Sequence, residues 1–444
     1  MAMKVLKESG VKWIGLAPVC WQVIPFKYCI DRRQGGDWGE DEISVPLDYK
    51  ENVACIRVAD FNFQQFRVMQ RGEYTLRSYD KQTINKLLLK NGDVLVEKSG
   101  GGEKTPVGRS VLFDKKLKAL YSNFLERFRV KEIVNPRYFV YCWNSFYRLG
   151  HTRLYIKQTT GIQNLDFQRI LSQESMLLPN LDDQERIVSY LDENCQKIDQ
   201  LINKIEKQIE LLGEYKKSII TETVTKGINK TEDFKESRVS WLGTVPKHWK
   251  LSKVKYVAKF SPDTKKVGSG EIGYAPMECV KQGVMYPLIE CIENLPSSLT
   301  AFQKGDIVIA KVTPCFENGN IAIVPEIPQD LCLGSSELFV FRTTGILNYY
   351  LFYYFQTTGF KEACASTMTG AGGLKRVSSY FIKDCVVPVP SIDEQIQIVQ
   401  FLNNKCAQVD AVLAEKRKQL NVLNEYKRSF IFEAVAGKLY DQVA

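Results

Sequence analysis

Histidine is nearly missing from these 444 residues, with only His151 and His248 present. Imidazole acid–base chemistry and zinc sites of the H-E-x-x-H kind therefore have little material, and no metal site or catalytic residue is expected. The twelve cysteines include no C-x-x-C pair, which points to reduced, mostly buried thiols rather than a zinc ribbon or a disulfide framework. No run approaches 18 apolar residues, and MAMKVLKESG lacks the apolar core of a leader, so a cytoplasmic chain without a membrane partner is expected. Gly100-Gly101-Gly102-Glu103-Lys104-Thr105 lacks the G-x-x-x-x-G-K-[ST] spacing and reads as a basic surface loop. Asn135-Pro136-Arg137-Tyr138 resembles an adenine-methyltransferase element, but no G-x-G-x-x-G accompanies it, and a helix start is the better account. Asp93 with Glu97-Lys98 does not make the acidic pair plus lysine of metal-dependent nucleases.

What is present is duplication. From Pro179 the chain reads PNLDDQERIVSYLDENCQKIDQLINKIEKQIELLGEYKKS, and a shift of 211 residues brings Pro179 onto Pro390, Asp182 onto Asp393, Gln184 onto Gln395, Cys195 onto Cys406, Asp199 onto Asp410 and Glu214-Tyr215-Lys216 onto Glu425-Tyr426-Lys427. Proline before an acidic start suits a helix N-terminus, whose unpaired N–H groups and dipole favour Asp and Glu. Leu191, Ile198, Ile205, Leu212 and Ile219 then recur every seven residues, with Cys195, Ile202 and Ile209 four further on. The second copy repeats this with Leu402, Val409, Leu423 and Phe430, and with Cys406, Leu413 and Leu420, interrupted at Lys416. Such a seam predicts two long helices packed on each other as a coiled coil. The alternative is that each is a core helix of its own half; the length, the polar outer faces and the repetition favour pairing. Lys216 and Lys427 fall on the stripe, so the seam should loosen or meet another partner there.

The repeat extends outward. ESGVKWIGLAPVCW (Glu8 to Trp21) returns as ESRVSWLGTVPKHW (Glu236 to Trp249), sharing Trp13/Trp241, Gly15/Gly243, Pro18/Pro246 and Trp21/Trp249. These tryptophans either pack a turn onto each domain or offer a surface for bases. Asn91-Gly92-Asp93 before Val94-Leu95-Val96 matches Lys304-Gly305-Asp306 before Ile307-Val308-Ile309, a turn and strand in each half. Lys98 and Lys311 follow. Glycine-containing loops come next, at Ser99 to Arg109 and Thr313 to Asn320. Short strands (Phe124 to Val130; Leu338 to Phe341) then lead to aromatic helices after Asn135-Pro136 and at Asn348, whose rings are expected to be buried. Thr-Gly loops close both halves, Thr159 to Leu165 and Thr367 to Leu374, flanked by His151, Arg153, Lys157, Lys375 and Arg376. They suit either phosphate contact or ordinary turns. The first half carries about 15 extra residues between Trp21 and Asn91, by the difference between a shift of 228 and one of 213. Net charge is +9. The helical repeats are slightly acidic, so the basic excess sits on the other blocks, as expected where they face a polyanion.

A variable block, an LDxQ-type helix ending in EYKxS, a second variable block and a second such helix resemble the specificity subunit of type I restriction-modification systems, over essentially the whole chain. The resemblance implies an α+β fold: two similar target-recognition domains (1–178 and 229–388) separated by two spacer helices (179–228 and 389–444) in an antiparallel coiled coil, with a pseudo-two-fold repeat. It implies a non-catalytic subunit that reads a bipartite, asymmetric double-stranded DNA site and docks two methyltransferase subunits and the motor-nuclease subunits. S-adenosylmethionine, ATP and Mg would belong to those partners. Expected DNA contacts are Lys98, Lys104, Arg109, Arg153 and Lys157 in the first block, and Lys311, Lys375 and Arg376 in the second. A coiled-coil adaptor without DNA specificity and a DNA enzyme with an unrecognised active site are the competing classes.

Overall fold

Asn180 and Ser391 start the two long helices. The Asn180 side chain accepts the Asp183 N–H at 2.8 Å, and Ser391 Oγ accepts that of Glu394 at 3.3 Å, each satisfying a donor that the first helical turn leaves open. The helices run over Leu181–Lys226 and Ile392–Val435. In this computed structural model the described residues are 5–44, 49–158, 161–229, 231–264, 268–370 and 373–439. The chain divides into two units, Met1–Glu206 with Lys418–Ala444, and Lys207–Arg417. Each unit holds one variable block, part of one long helix and part of the other.

In the first unit the main sheet contains Ile30–Gly35, Leu125–Val130, Val94–Glu97 and Ser110–Leu112, extended by Arg67–Val68 and Phe61–Asn62. The last two strands lie in the stretch where the first half is longer. A second sheet joins Ala119–Tyr121, Lys50–Ile56 and Leu76–Asp80. The aromatic helix Pro136–Arg148 packs on the main sheet with Tyr138, Phe139, Tyr141 and Trp143 buried. Asn135 caps it, accepting from the N–H groups of Arg137 and Tyr138.

The second unit repeats the frame. Its main sheet is Ala258–Phe260, Leu338–Thr343, Ile307–Ala310 and Ile321–Ile323, and a second sheet joins Leu288–Cys291, Glu271–Ala275, Cys332–Gly334 and Thr300–Phe302. The aromatic helix Asn348–Tyr354 buries Tyr350, Phe352, Tyr353 and Tyr354, whereas Tyr349 stays 45% exposed. That ring departs from the all-buried expectation because it sits at the very start of the helix, ahead of the continuously buried run from Tyr350 to Phe355.

Within each unit the long helices run antiparallel. In the first, Tyr190 lies 5.5 Å from Phe430 and Lys427 Nζ donates to Asp199. Leu191, Cys195, Ile198 and Ile202 share a core with Phe430, Ile431, Ala434 and Val435. In the second, Lys216 Nζ lies 2.7 Å from both Asp410 oxygens, and Ile220 and Val224 share a core with Ile398, Leu402 and Cys406. Each large apolar side chain buried this way stabilises by about 1.5–3 kcal/mol. Leu191, Ile198, Leu402, Val409 and Phe430 are buried; Ile205, Leu212, Ile219 and Leu423 are half-buried. At the end of the first helix burial falls on Ile220 and Val224, one residue beyond the seven-residue frame, because a straight helix drifts about 20° per heptad.

The repeat is also chemical. Gln184 accepts the Asn135 N–H at 2.7 Å and donates to the Pro179 carbonyl at 2.9 Å. Gln395 does the same with Leu347 at 2.8 Å and Pro390 at 3.0 Å. Both glutamines are fully buried. Arg129 clasps Asp93 and Arg342 clasps Asp306, each starting from a 2.7 Å contact. Trp13, Trp21 and Trp249 are buried; the Trp13 N–H reaches the Ser175 carbonyl at 3.0 Å and that of Trp249 reaches Glu394 at 2.8 Å. They pack the leads onto their units. Among the described residues no helix is long and apolar enough to cross a membrane, and the cysteines are free thiols, with burial pushing Cys29 up to about 12.

Candidate nucleic-acid interface

The basic loops of the first unit gather on a three-stranded ribbon in which Gln163–Leu165 lies between Ser99–Gly100 and Ile156–Gln158. Gly101 is required at its bend. Its φ is +70°, and a Cβ there would sit 2.6 Å from the Val107 nitrogen and 2.9 Å from Gln163 Oε1. Gln163 in turn accepts the Val107 N–H at 3.1 Å, so the loop holds a fixed shape.

Lys98 is half-exposed, with its ammonium 3.7 Å from Glu126; burial pushes the Glu126 carboxyl up, and Arg33 and Lys98 oppose that. Lys104 is exposed. Arg153 is exposed and comes within 3.4 Å of the Glu103 carbonyl beside it. Lys157 reaches Asp166 at 2.7 Å, which holds that carboxyl below its ordinary range. Arg109 differs. Its guanidinium grips both Glu97 oxygens at 2.9 and 2.6 Å and lies 3.6 Å over the Phe63 ring. A bidentate, stacked arginine is fixed in place and largely neutralised.

In the second unit Lys311 and Arg376 converge on Glu337. Lys311 Nζ donates to the Ser336 carbonyl at 2.6 Å and stands 3.9 Å from Glu337, which Arg376 pairs at 2.8 Å. Arg376 holds the Glu337 carboxyl below its ordinary range. The exposed Lys375 is anchored through its backbone N–H, 2.9 Å from Thr313 Oγ1. The structure thus brings the three second-unit residues together. The Thr-Gly loops include Thr159, Thr160, Ala371 and Gly372, which lie outside the described residues.

Spacing along the chain missed a cavity of about 480 Å³ in the first unit, whose lining includes Trp38, Arg57, Glu97, Gly100, Arg109 and Phe124. Only Arg109 of these stood among the expected DNA contacts. Trp38 and Arg57 lie in the stretch where the first half is longer, which is the one signal the sequence offers for them. His151 stacks at 5.5 Å on Phe146 and His248 lies 3.1 Å from Glu394, so neither joins this cavity.

Two like frames, each closed by an LDxQ-type helix and each presenting a basic loop cluster with different contents, define a duplicated two-module scaffold. The chain belongs to the type I restriction modification DNA specificity domain family, whose model matches residues 60–211 and 248–422. It is 22% identical to the putative type I restriction enzyme MjaX specificity subunit of Methanocaldococcus jannaschii over an alignment of 452 positions, covering 98% of each chain. It is 32% identical to the type I restriction enzyme EcoAI specificity subunit of Escherichia coli over 161 residues, which are 35% of this chain and only 27% of that subunit. A solved chain from work on complex assembly and conformational transition of the type I R-M system superposes with a TM-score of 0.68 at 14% identity, covering 94% of this chain and 98% of that one. That likeness establishes the shared fold.

Proposed function

We propose that this chain is the non-catalytic DNA-reading subunit of a type I restriction-modification assembly in the cytoplasm. Its two variable blocks, 1–178 and 229–388, act as target-recognition domains for the unlike halves of a split double-stranded site. The helical segments 179–228 and 389–444 fix the gap and dock two methyltransferase subunits and the motor-nuclease subunits. S-adenosylmethionine, ATP and Mg serve those partners.

The observation that carries this reading is the doubled frame with undoubled contents. Gln184 and Gln395, Asp93–Arg129 and Asp306–Arg342, and Lys427–Asp199 and Lys216–Asp410 are the same devices used twice. The loops they carry differ, Arg109–Glu97 over Phe63 in one and Lys311–Glu337–Arg376 in the other. A palindrome reader needs two equal contents; two unequal ones suit an asymmetric site. Lys98, Lys104, Arg109, Arg153, Lys157, Lys311, Lys375 and Arg376 are the proposed DNA contacts, the exposed ones meeting phosphates. The test is to map modified adenines in a host genome with and without this gene and its methyltransferase partner. A split motif that vanishes on deletion is the expected result. Modification of one contiguous or palindromic motif, or none that depends on the gene, overturns the reading.

A further inference from the structure

A stacked duplex presents its base edges on the floor of a major groove about 8.5 Å deep, so protein elements read them by protruding. A recess works the other way, since it receives a group that protrudes from the DNA. Phosphates and unstacked bases are the two such groups. The walls of the first unit's cavity discriminate between them. Trp38 and Phe124 line it and are 37% and 44% exposed, so both rings are open to a group that enters. The Arg77 guanidinium lies 4.7 Å over Trp38 and donates to the carbonyls of Trp38 and Gly39 at 3.0 and 3.2 Å. The indole is thereby held in place before a ligand arrives. Arg109, also in the lining, has its charge met by Glu97, which makes it a poor phosphate ligand. Arg57 remains: it lines the cavity with its side chain 37% exposed, and only its Nε, turned toward Asp60 at 3.7 Å, is buried.

We propose that this cavity receives one nucleobase displaced from the DNA stack, packed on Trp38 and Phe124, with Arg57 donating to its acceptor edge. This rests on the DNA-reading role proposed above. Aromatic platforms for unstacked bases contribute through their π-faces, and guanidinium donors add selectivity for a base with acceptors. The second unit has no such arrangement at the matching positions. Val96 faces Ser110 and Glu126 across its sheet as Ile309 faces Ile321 and Phe339, so Glu97, Arg109 and Phe124 correspond to Ala310, Asn320 and Glu337. One half of the split motif, and not the other, therefore depends on the cavity.

The test uses the full chain with its methyltransferase partner in a host, mapping modified adenines for Trp38→Ala, Phe124→Ala and Arg57→Gln. Preference at a position in one half should fall about 5- to 150-fold, the range for removing one stacked base or one bidentate pair, while the other half stays intact. A motif unchanged in all three variants overturns the cavity and leaves the wider reading standing. A wild-type chain that directs no split motif overturns the wider reading instead. Should Trp38→Ala abolish modification, Trp38→Phe decides: recovery with the original motif supports a stacking wall, and no recovery counts against it. An equal loss of affinity on every sequence, with a shallower salt dependence in Arg57→Gln, identifies a phosphate site and also overturns the proposal.

Discussion

Lys427 and Lys216 are the same residue of the repeat placed in two environments. The Lys427 ammonium and its partner Asp199 retain 4% and 8% side-chain exposure, and the ammonium also donates to the Gln64 carbonyl at 2.6 Å. Burial pulls Lys427 below its ordinary range, with Asp199 acting against that. Lys216 and Asp410 keep 27% and 54%. Removing one member of a buried pair strands a charge and costs about 3–5 kcal/mol, whereas an exposed pair contributes about 0–1 kcal/mol. Lys427→Met should therefore lower the melting temperature of the first unit by roughly 6–20 °C, taking about 2–4 °C per kcal/mol for a unit of this size. Lys216→Met should shift the second by under about 4 °C. Asp199→Asn combined with Lys427→Met should recover much of the loss, because neither partner then carries a buried charge, and the double-mutant cycle should give a coupling well above that of the exposed pair. Calorimetry of both cycles, Lys427→Met with Asp199→Asn and Lys216→Met with Asp410→Asn, singly and combined, reads all of this. Equal losses for Lys427→Met and Lys216→Met would refute the reasoning, since burial would then not decide the outcome.

Gln184→Leu and Gln395→Leu should each destabilise by about 1–3 kcal/mol by leaving a helix-start N–H and a proline carbonyl unmet, seen as a lower urea midpoint and faster amide exchange at Asn135 or Leu347. Burial pushes the Asp192 carboxyl up, but Arg137, Tyr141 and Arg67 outweigh it and the folded value lies below the unfolded one. Its stabilisation is present above the unfolded value near about pH 4 and is lost as pH falls through the folded value, so Asp192→Asn should flatten the acid limb of the stability curve. Ile202→Asp, at a position 2% exposed, should cost more stability than Ile205→Asp, at a half-exposed one, in the same denaturation series. Replacing Lys104, Arg153 and Lys375 by glutamine should reduce the slope of log affinity for duplex DNA against log salt by about 0.9 for each phosphate that is no longer neutralised.

The long helices, the Trp leads, the Gly-Asp turns and the aromatic helices were legible because each writes its pattern within a few dozen residues. Duplication then told which patterns mattered. The partners of those patterns were not legible. Nothing near Gln184 announces that it will hold Asn135, and nothing near Lys427 announces Asp199 and Gln64; such pairings are set by the tertiary fold. Arg109 reads as a free loop cation in sequence, yet Glu97 and Phe63 claim it, because the strand before the glycine loop and the strand after it pair side by side. The cavity draws on residues from Trp38 to Phe124, brought together by sheets whose strand order no local signal gives.

The first unit is discontinuous, since its apolar stripe at Leu191, Ile198 and Ile202 is covered by Phe430, Ile431 and Val435. On the ribosome that cover emerges only after the whole of Lys207–Arg417 has been made, so the second unit can finish its core while the first still waits with an uncovered helix face. A nascent chain stalled after Ile202 and before Lys418 should therefore leave that helix face open to chaperones and proteases, until Phe430, Ile431 and Val435 arrive to cover it.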